Sequence, residues 1–378
     1  MKIDKYSAIV GNTVGYHDMA SLTDQRPVAS LPFGAKYRLI DFPLSSLANA
    51  GIRSVFGIFQ EENISSVFDH IRSGREWGLS TLLSHYYLGI YSTKVESQTV
   101  GKEYYEQLLQ YLRRSGSDQT VALNCDVLVN IDLNPIFHLH GNTQHPLTLV
   151  YKKLPGRMIS DVNSILEIDE TDKVLSHKLF DGNQEDSYNM STDIFIVDTP
   201  WLIEKLEIEA AKEEPKKLRY VLRDLAAEFG GFAYEYTGYL ANIHSVESYY
   251  QANLDMIEPK KFYNLFTPNQ KVYTKVKNEE PTYYASGSKV IRSQFASGSI
   301  VSGHVENSVV SRNNQIAKGS VVKDSIIFPR VEIKKGATVE YAIVDKGVVI
   351  EEGVTVRGSK EKPLVIAKGS KITEDMIE

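Results

Sequence analysis

The chain of 378 residues contains a single cysteine, Cys125, and so cannot close an internal disulfide. That excludes a disulfide-stapled secreted scaffold and points to a reducing compartment. No run of about 18 apolar residues occurs, so no membrane-spanning helix is expected. Met1-Lys2-Ile3-Asp4-Lys5 carries charge and no apolar core follows it. A secretory leader is therefore not expected, and a cytoplasmic protein is. Basic residues are not in excess: 42 Lys and Arg face 48 Asp and Glu, a formal net charge of -6. Such a chain has no general field for nucleic acid or an anionic membrane, although a local basic pocket stays open to it.

What remains is an ordinary globular composition, with 42% hydrophobic and 24% charged residues. The length exceeds what one compact core usually serves, so two or three domains are expected. In the first two thirds, short apolar runs predict strands at Tyr6–Val10, Ser54–Phe59, Thr120–Leu123, Leu147–Tyr151 and Asp193–Val197. Helices are predicted between them at Pro43–Ala50, Asn63–Arg72, Glu103–Arg114, Pro200–Lys212 and Lys217–Phe229, most of them closed by glycine. The alternation argues for an α/β domain with a mostly parallel, Rossmann-like sheet. Ligands in such sheets sit at the carboxyl ends of the strands, which directs attention to the loops after Val10 and Leu123.

The last quarter has a different grammar. Six windows share the pattern apolar-x-x-Gly-x-x-apolar: Tyr284–Val290, Phe295–Val301, Ile316–Val322, Ile333–Val339, Ile350–Val356 and Ile366–Ile372. Gly319, Gly336 and Gly353 recur 17 residues apart. Stacked hexapeptide coils explain this spacing better than separate hairpins do. The expected division is an α/β domain over 1–256, a Pro-spaced linker over 257–281 and a hexapeptide β-helix over 282–378.

The segment Leu31-Pro-Phe-Gly-Ala-Lys-Tyr-Arg-Leu-Ile-Asp-Phe42, followed by Asn49-Ala-Gly-Ile52, resembles bacterial glucose-1-phosphate adenylyltransferases (ADP-glucose pyrophosphorylases). Asp324-Ser-Ile-Ile-Phe-Pro329 and Tyr341-Ala-Ile-Val-Asp-Lys346 resemble the family's left-handed β-helix. The resemblance runs from about Tyr6 to Val356. It implies an enzyme joining ATP to glucose-1-phosphate, with a Gly-rich phosphate loop and two carboxylates holding Mg²⁺.

The family's functional positions are altered here. Its Gly-Gly-x-Gly-Thr-Arg loop becomes Gly11-Asn12-Thr13-Val14-Gly15-Tyr16-His17-Asp18, with no basic residue between Lys5 and Arg26. Gly11 and Gly15 are the loop's remnant. A phosphate-reaching Lys becomes Val28, leaving Arg26 as the nearest compensating cation. Asp126 matches the first metal ligand, but Asn242 replaces the second, and a neutral amide is a weaker Mg²⁺ ligand than a carboxylate. Asp126 could equally cap backbone N–H groups. The sugar-phosphate motif retains only Lys178, in His177-Lys178-Leu179. The Ser-Met-Gly motif becomes Met190-Ser191-Thr192, and the catalytic-loop motif becomes Gly101-Lys102-Glu103-Tyr104.

Lys36, Tyr37, Arg38 and Asp41 survive alongside these losses. The resemblance links this segment to effector binding, so Lys36 and Arg38 are candidate ligands of a phosphorylated allosteric effector. Their alternative is a solvated pair or a salt bridge to Asp41. An intact scaffold with lost ligands resembles the GlgD-type subunit, a paralogue that partners the catalytic subunit. The implied protein is catalytically deficient, works within a hetero-tetramer or self-assembles in isolation, and needs Mg²⁺ only if it is active. Two other readings stay open: an active nucleotidyltransferase rebuilt around Asp126, Arg26 and Lys178, and a stand-alone sugar-phosphate sensor. His138, His140 and His145 are expected to be surface histidines, and Cys125 a buried inert thiol. Tyr86-Tyr87, Tyr104-Tyr105 and Tyr249-Tyr250 are expected to be half-buried packing residues.

Overall fold

The computed structural model describes residues 5–11, 15–81, 84–93 and 97–378. The first part holds strands β1 (Tyr6–Gly11), β2 (Pro32–Phe33), β3 (Tyr37–Arg38), β4 (Ser54–Gln60), β5 (His85–Tyr91), β6 (Gln119–Asn124) and β7 (Val127–Val129). They are followed by β8 (Leu147–Pro155), β9 (Ser164–Ile168), β10 (Val174–Leu179), β11 (Ser187–Asp198), β12 (Phe232–Glu235) and β13 (Leu240–Asn242). The helices are α1 (Ala20–Thr23), α2 (Asp41–Asn49), α3 (Ser65–Ile71), α4 (Lys102–Ser115), α5 (Asn134–Asn142), α6 (Thr199–Ala210), α7 (Leu218–Phe229), α8 (Val246–Asp255) and α9 (Pro259–Leu265).

Nine strands form one mixed sheet, in the order β10-β9-β11-β6-β1-β4-β5, with β8 joining β11 and β12 joining β8. The block β6-β1-β4-β5 is parallel, whereas β11 runs antiparallel to β6 and β8. Helices cover both faces. Leu44, Leu47, Val67, Ile136 and Phe137 pack on one side. Tyr104, Leu108, Leu112, Leu202 and Leu222 pack on the other. Each such side chain contributes about 1.5–3 kcal/mol when fully buried.

The C-terminal part is a left-handed parallel β-helix made of three flat sheets of six, six and five short strands. Its interior is three stacks, each one side chain per coil. Val301, Ile316, Ile333 and Ile350 form the first. Val305, Val322, Val339 and Val356 form the second. Val310, Ile327, Val344 and Ile366 form the third. The glycines of the six windows serve two corners rather than one. Gly287, Gly319, Gly336 and Gly353 turn from the first stack to the second, and Gly298 and Gly369 from the third to the first. All six have positive φ, which a residue with a Cβ adopts only under strain.

The segment expected as a linker holds α9, whose Leu265 is fully buried. Helices α8 and α9, with Tyr16, Met19, Leu31 and Phe33, share one apolar cluster with Ile326, Phe328 and Ile343 of the β-helix. Strand alternation explains this: Ile327 and Val344 point into the coil, so Ile326 and Ile343 point out of it. The two parts therefore meet through a continuous apolar cluster. Among the described residues, no helix is long and apolar enough to cross a membrane.

His140 departs from the surface expectation. It is 2% exposed, with its ring nitrogens 2.8 Å from Thr148 Oγ1 and 3.2 Å from Asp198 Oδ1. Two of the three tyrosine pairs are buried more deeply than expected, since Tyr104, Tyr105, Tyr249 and Tyr250 are all 2% exposed or less, whereas Tyr86 is half-buried and Tyr87 exposed. Cys125 is buried and unpaired, and burial pushes its thiol well above the ordinary value.

Candidate functional site

The carboxyl ends of β1 and β6 lead to Gly11 and to Asp126, the position where a doubly wound sheet holds its ligand. Gly11 closes β1 and Gly15 precedes a short turn of 3-10 helix, while Asn12, Thr13 and Val14 lie outside the described residues. The space beside Gly11, Asn124, Asp193 and Arg219 amounts to about 20 Å³. That is room for a single water.

Among the described residues, Asp126 is engaged by side chains. Tyr16 donates its hydroxyl to Asp126 Oδ2 at 2.6 Å, and Arg219 Nη1 donates to the same oxygen at 2.8 Å. Arg219 Nε also donates to Asp193 Oδ2 at 2.8 Å. Arg223, one helical turn on, donates to Asp193 through Nε at 2.8 Å and Nη2 at 2.7 Å. The spacing of four residues puts both guanidinium groups on one face of α7. Asp193 sits in a bulge of β11 at φ +52°, at the head of the apolar run Ile194–Val197.

Electrostatics match this geometry. Burial alone would raise the Asp193 carboxyl, but Arg219 and Arg223 outweigh burial and hold it below the ordinary carboxylate range. Burial would lower Arg219, yet Asp126 and Asp193 raise it well above its ordinary value. Burial, then Asp126, pushes the Tyr16 phenol far up, so it stays a donor. Removing one partner of such a buried network leaves an uncompensated charge, at a cost of about 3–5 kcal/mol.

These residues do not fit a Mg²⁺ ion. The carboxylate of Asp126 already faces a guanidinium, and a dication placed there would meet it at close range. Asn242 spends its amide nitrogen on Met158 O at 3.0 Å and Asn163 Oδ1 at 2.7 Å, and offers only a neutral amide oxygen where the family has a carboxylate. Among the described residues, no group of three or more His, Cys, Asp or Glu is placed to hold a metal. Lys178 does not join this network. It pairs across strands with Glu167 at 3.4 Å and lines a cleft with His177, Lys216, Tyr220 and Arg223.

Arg26 does not turn to the phosphate loop. Its Nη2 donates to both carboxylate oxygens of Asp345, at 2.9 and 2.6 Å, and its guanidinium lies 5.7 Å from the Phe328 ring centre. It is a buried tie between the α/β domain and the β-helix, and its charge is spent there.

Beside that tie lies a basic cavity of about 200 Å³ between the two domains. Lys36 and Arg38 line it from the β2–β3 hairpin, Lys275 and Lys277 from the crossing segment, and Arg312, Arg330 and Lys346 from the β-helix. Only Asp69 and Glu279 oppose them there, with His70 beside. Lys275 is tied to Asp69, and Arg312 to Glu279 at 3.1 Å. Among the described residues, Lys36, Lys277, Arg330 and Lys346 have no ion-pair partner. Burial and then Arg312 lower the Lys36 ammonium below its ordinary value. Burial and then Arg330 lower Lys346. The guanidinium of Arg38 meets Ser66 O at 2.9 Å, and only its backbone N–H reaches Asp41. Mutually repelling cations around open space attract an anion by elementary electrostatics.

Residues 19–160 match the nucleotidyl transferase family, and residues 277–374 match the GlmU-like C-terminal hexapeptide family. The chain is 31% identical to the glycogen biosynthesis protein GlgD of Bacillus subtilis over 372 residues, covering 96% of this chain and 95% of that protein. The chain belongs to the GlgD family. The GlgD of Geobacillus stearothermophilus is likewise 31% identical, over 97% of each chain. A glucose-1-phosphate adenylyltransferase of Thermotoga maritima is 28% identical, over 80% of this chain and 72% of that enzyme.

Tyr16 and Met19 were the side chains the sequence offered as possible fillers of the nucleotide pocket, whereas Asp193, Arg219 and Arg223 were not among the candidates read from it. Two arginines four apart on a predicted helix, and an acid at the head of the apolar run Ile194–Val197, were the available signals.

Proposed function

We propose that this GlgD-family chain is a regulatory partner in glycogen synthesis, with little or no turnover of its own. It associates with a catalytic glucose-1-phosphate adenylyltransferase subunit in the cytoplasm and alters that subunit's activity and effector response. The observation that carries this reading is the pairing of Asp126 with Arg219 and Tyr16, which places a protein cation where the family's chemistry needs a metal. The interdomain basic cavity supports the second half of the reading, because Lys36 and Arg38 line it with cations from both domains. Its ligand class is a small phosphorylated metabolite.

Calorimetry tests the effector role. Fructose-1,6-bisphosphate is expected to bind the wild type and to bind an Arg38→Ala, Lys36→Ala double variant more weakly. Binding to the protein with no association with a catalytic subunit would favour the stand-alone sensor instead.

A further inference from the structure

The filled centre at Asp126 and the basic cavity are joined by an unbroken run of hydrogen bonds. Tyr16 O accepts from Met19 N at 3.0 Å, and Met19 O accepts from Thr23 Oγ1 at 2.9 Å. Thr23 O accepts from Arg26 N at 3.1 Å. Arg26 then grips Asp345, whose Oδ1 accepts from Lys346 N at 2.5 Å. Tyr16 thus contacts Asp126 at one end, and Lys346 lines the cavity at the other. Met19 and Leu22 pack in the same cluster as Phe328 and Ile343, so the strut is held sideways as well as at its ends.

We propose that this strut couples the two sites, with the Arg26–Asp345 pair as its coupling element and Tyr16 as its output. The inference rests on the reading that the cavity binds a phosphorylated ligand. With the cavity empty, Lys346 sits among cations that include Arg330, Arg38 and Arg26, and they repel one another. An anion placed among them neutralises that field. The β-helix corner bearing Asp345 and Lys346 is then drawn in, Arg26 is gripped more firmly, and Tyr16 is locked on Asp126. Effector occupancy therefore tightens the plug instead of opening the old nucleotide site. Arg26 and Asp345 act as positioning residues, since neither lines the cavity.

Hydrogen exchange of the full chain, with calorimetry on the same samples, tests this. In the wild type, saturating fructose-1,6-bisphosphate is expected to slow amide exchange at Met19 and Arg26 by about tenfold, the size of a typical coupling between sites. In Asp345→Asn the ligand should still bind, and that slowing should vanish. An Arg26→Met, Asp345→Asn double variant removes both charges together and guards against misfolding from one unpaired ion. It should likewise bind without the response. Binding to the wild type with no change in exchange overturns the coupling and leaves the effector reading standing. A wild-type response in either variant also overturns the coupling. Absence of binding to the wild type overturns both.

Discussion

Arg219 donates to Asp126 across 2.8 Å in a site where both side chains are at most 4% exposed. A guanidinium thereby sits where a metal ion would meet the Asp126 carboxylate, and Tyr16 donates to the same oxygen. Catalysis by this family depends on charge placed against a leaving pyrophosphate. In this chain that charge is a fixed side chain already neutralised by two carboxylates. The expectations below follow from that arrangement.

On the proposed reading, Asp126→Asn should leave any adenylyltransferase signal unchanged, because Asp126 is held by Arg219 and Tyr16. It should instead destabilise the fold by about 3–5 kcal/mol, since Arg219 loses a charged partner in the interior. Urea unfolding and a pyrophosphate-release assay on one preparation separate the two effects. A preserved fold with abolished turnover would support the rebuilt enzyme.

The Asp193 carboxyl is held low in the folded state. A depressed folded value contributes stability that is fully present above the unfolded value of about 3.9 and is lost as pH falls through the folded one. Asp193→Asn should therefore flatten the acid limb of the stability curve. At pH 7 it should cost about 3–5 kcal/mol, because Arg223 loses its carboxylate partner and Arg219 keeps only Asp126. Denaturant midpoints across the acid range check this.

In the interdomain cavity, burial and neighbouring cations lower Lys36, Lys277 and Lys346, and an anion raises them again. Affinity is full below the empty-state value and falls as pH rises through it. Bisphosphate binding should thus weaken on the alkaline side before reaching 10.5, the ordinary lysine value. Trp77 packs 5.9 Å from His70, which lines the cavity, so intrinsic fluorescence should report the titration.

The β-helix makes an independent prediction. Gly319 has φ +80°, and Gly319→Ala should destabilise the protein by more than about 1 kcal/mol through backbone strain. Ile333→Ala in the first interior stack should cost about 2–5 kcal/mol, from lost burial and the cavity left behind. Thermal unfolding reads both.

The β-helix was the most legible part of the sequence, because one side chain per coil imposes a period that survives in a single chain. The windows around Gly298 and Gly369 looked equivalent to the others, yet they turn a different corner, since a triangular coil repeats one local pattern at more than one vertex. The parallel strands were legible for a similar reason: each is a short apolar run with a turn at its end. The plug was not. Tyr16, Asp126, Asp193 and Arg219 come from four distant segments, and nothing local couples an arginine on α7 to an aspartate after β6. Arg26 was read toward the nearest loop, whereas its partner Asp345 lies 319 residues away. Helix α9 was hidden by Pro259, Pro268 and Pro281, although Pro259 is at the helix start, where proline is tolerated.

The central claim is that this chain modulates turnover without performing it. Its most direct test is ADP-glucose formation from ATP and glucose-1-phosphate, measured with the purified chain alone, with a catalytic subunit alone, and with the two mixed. The account predicts no turnover above background for the chain alone, together with a changed rate and effector response in the mixture. Robust turnover by the chain alone, or a mixture that behaves as the catalytic subunit does by itself, would contradict it.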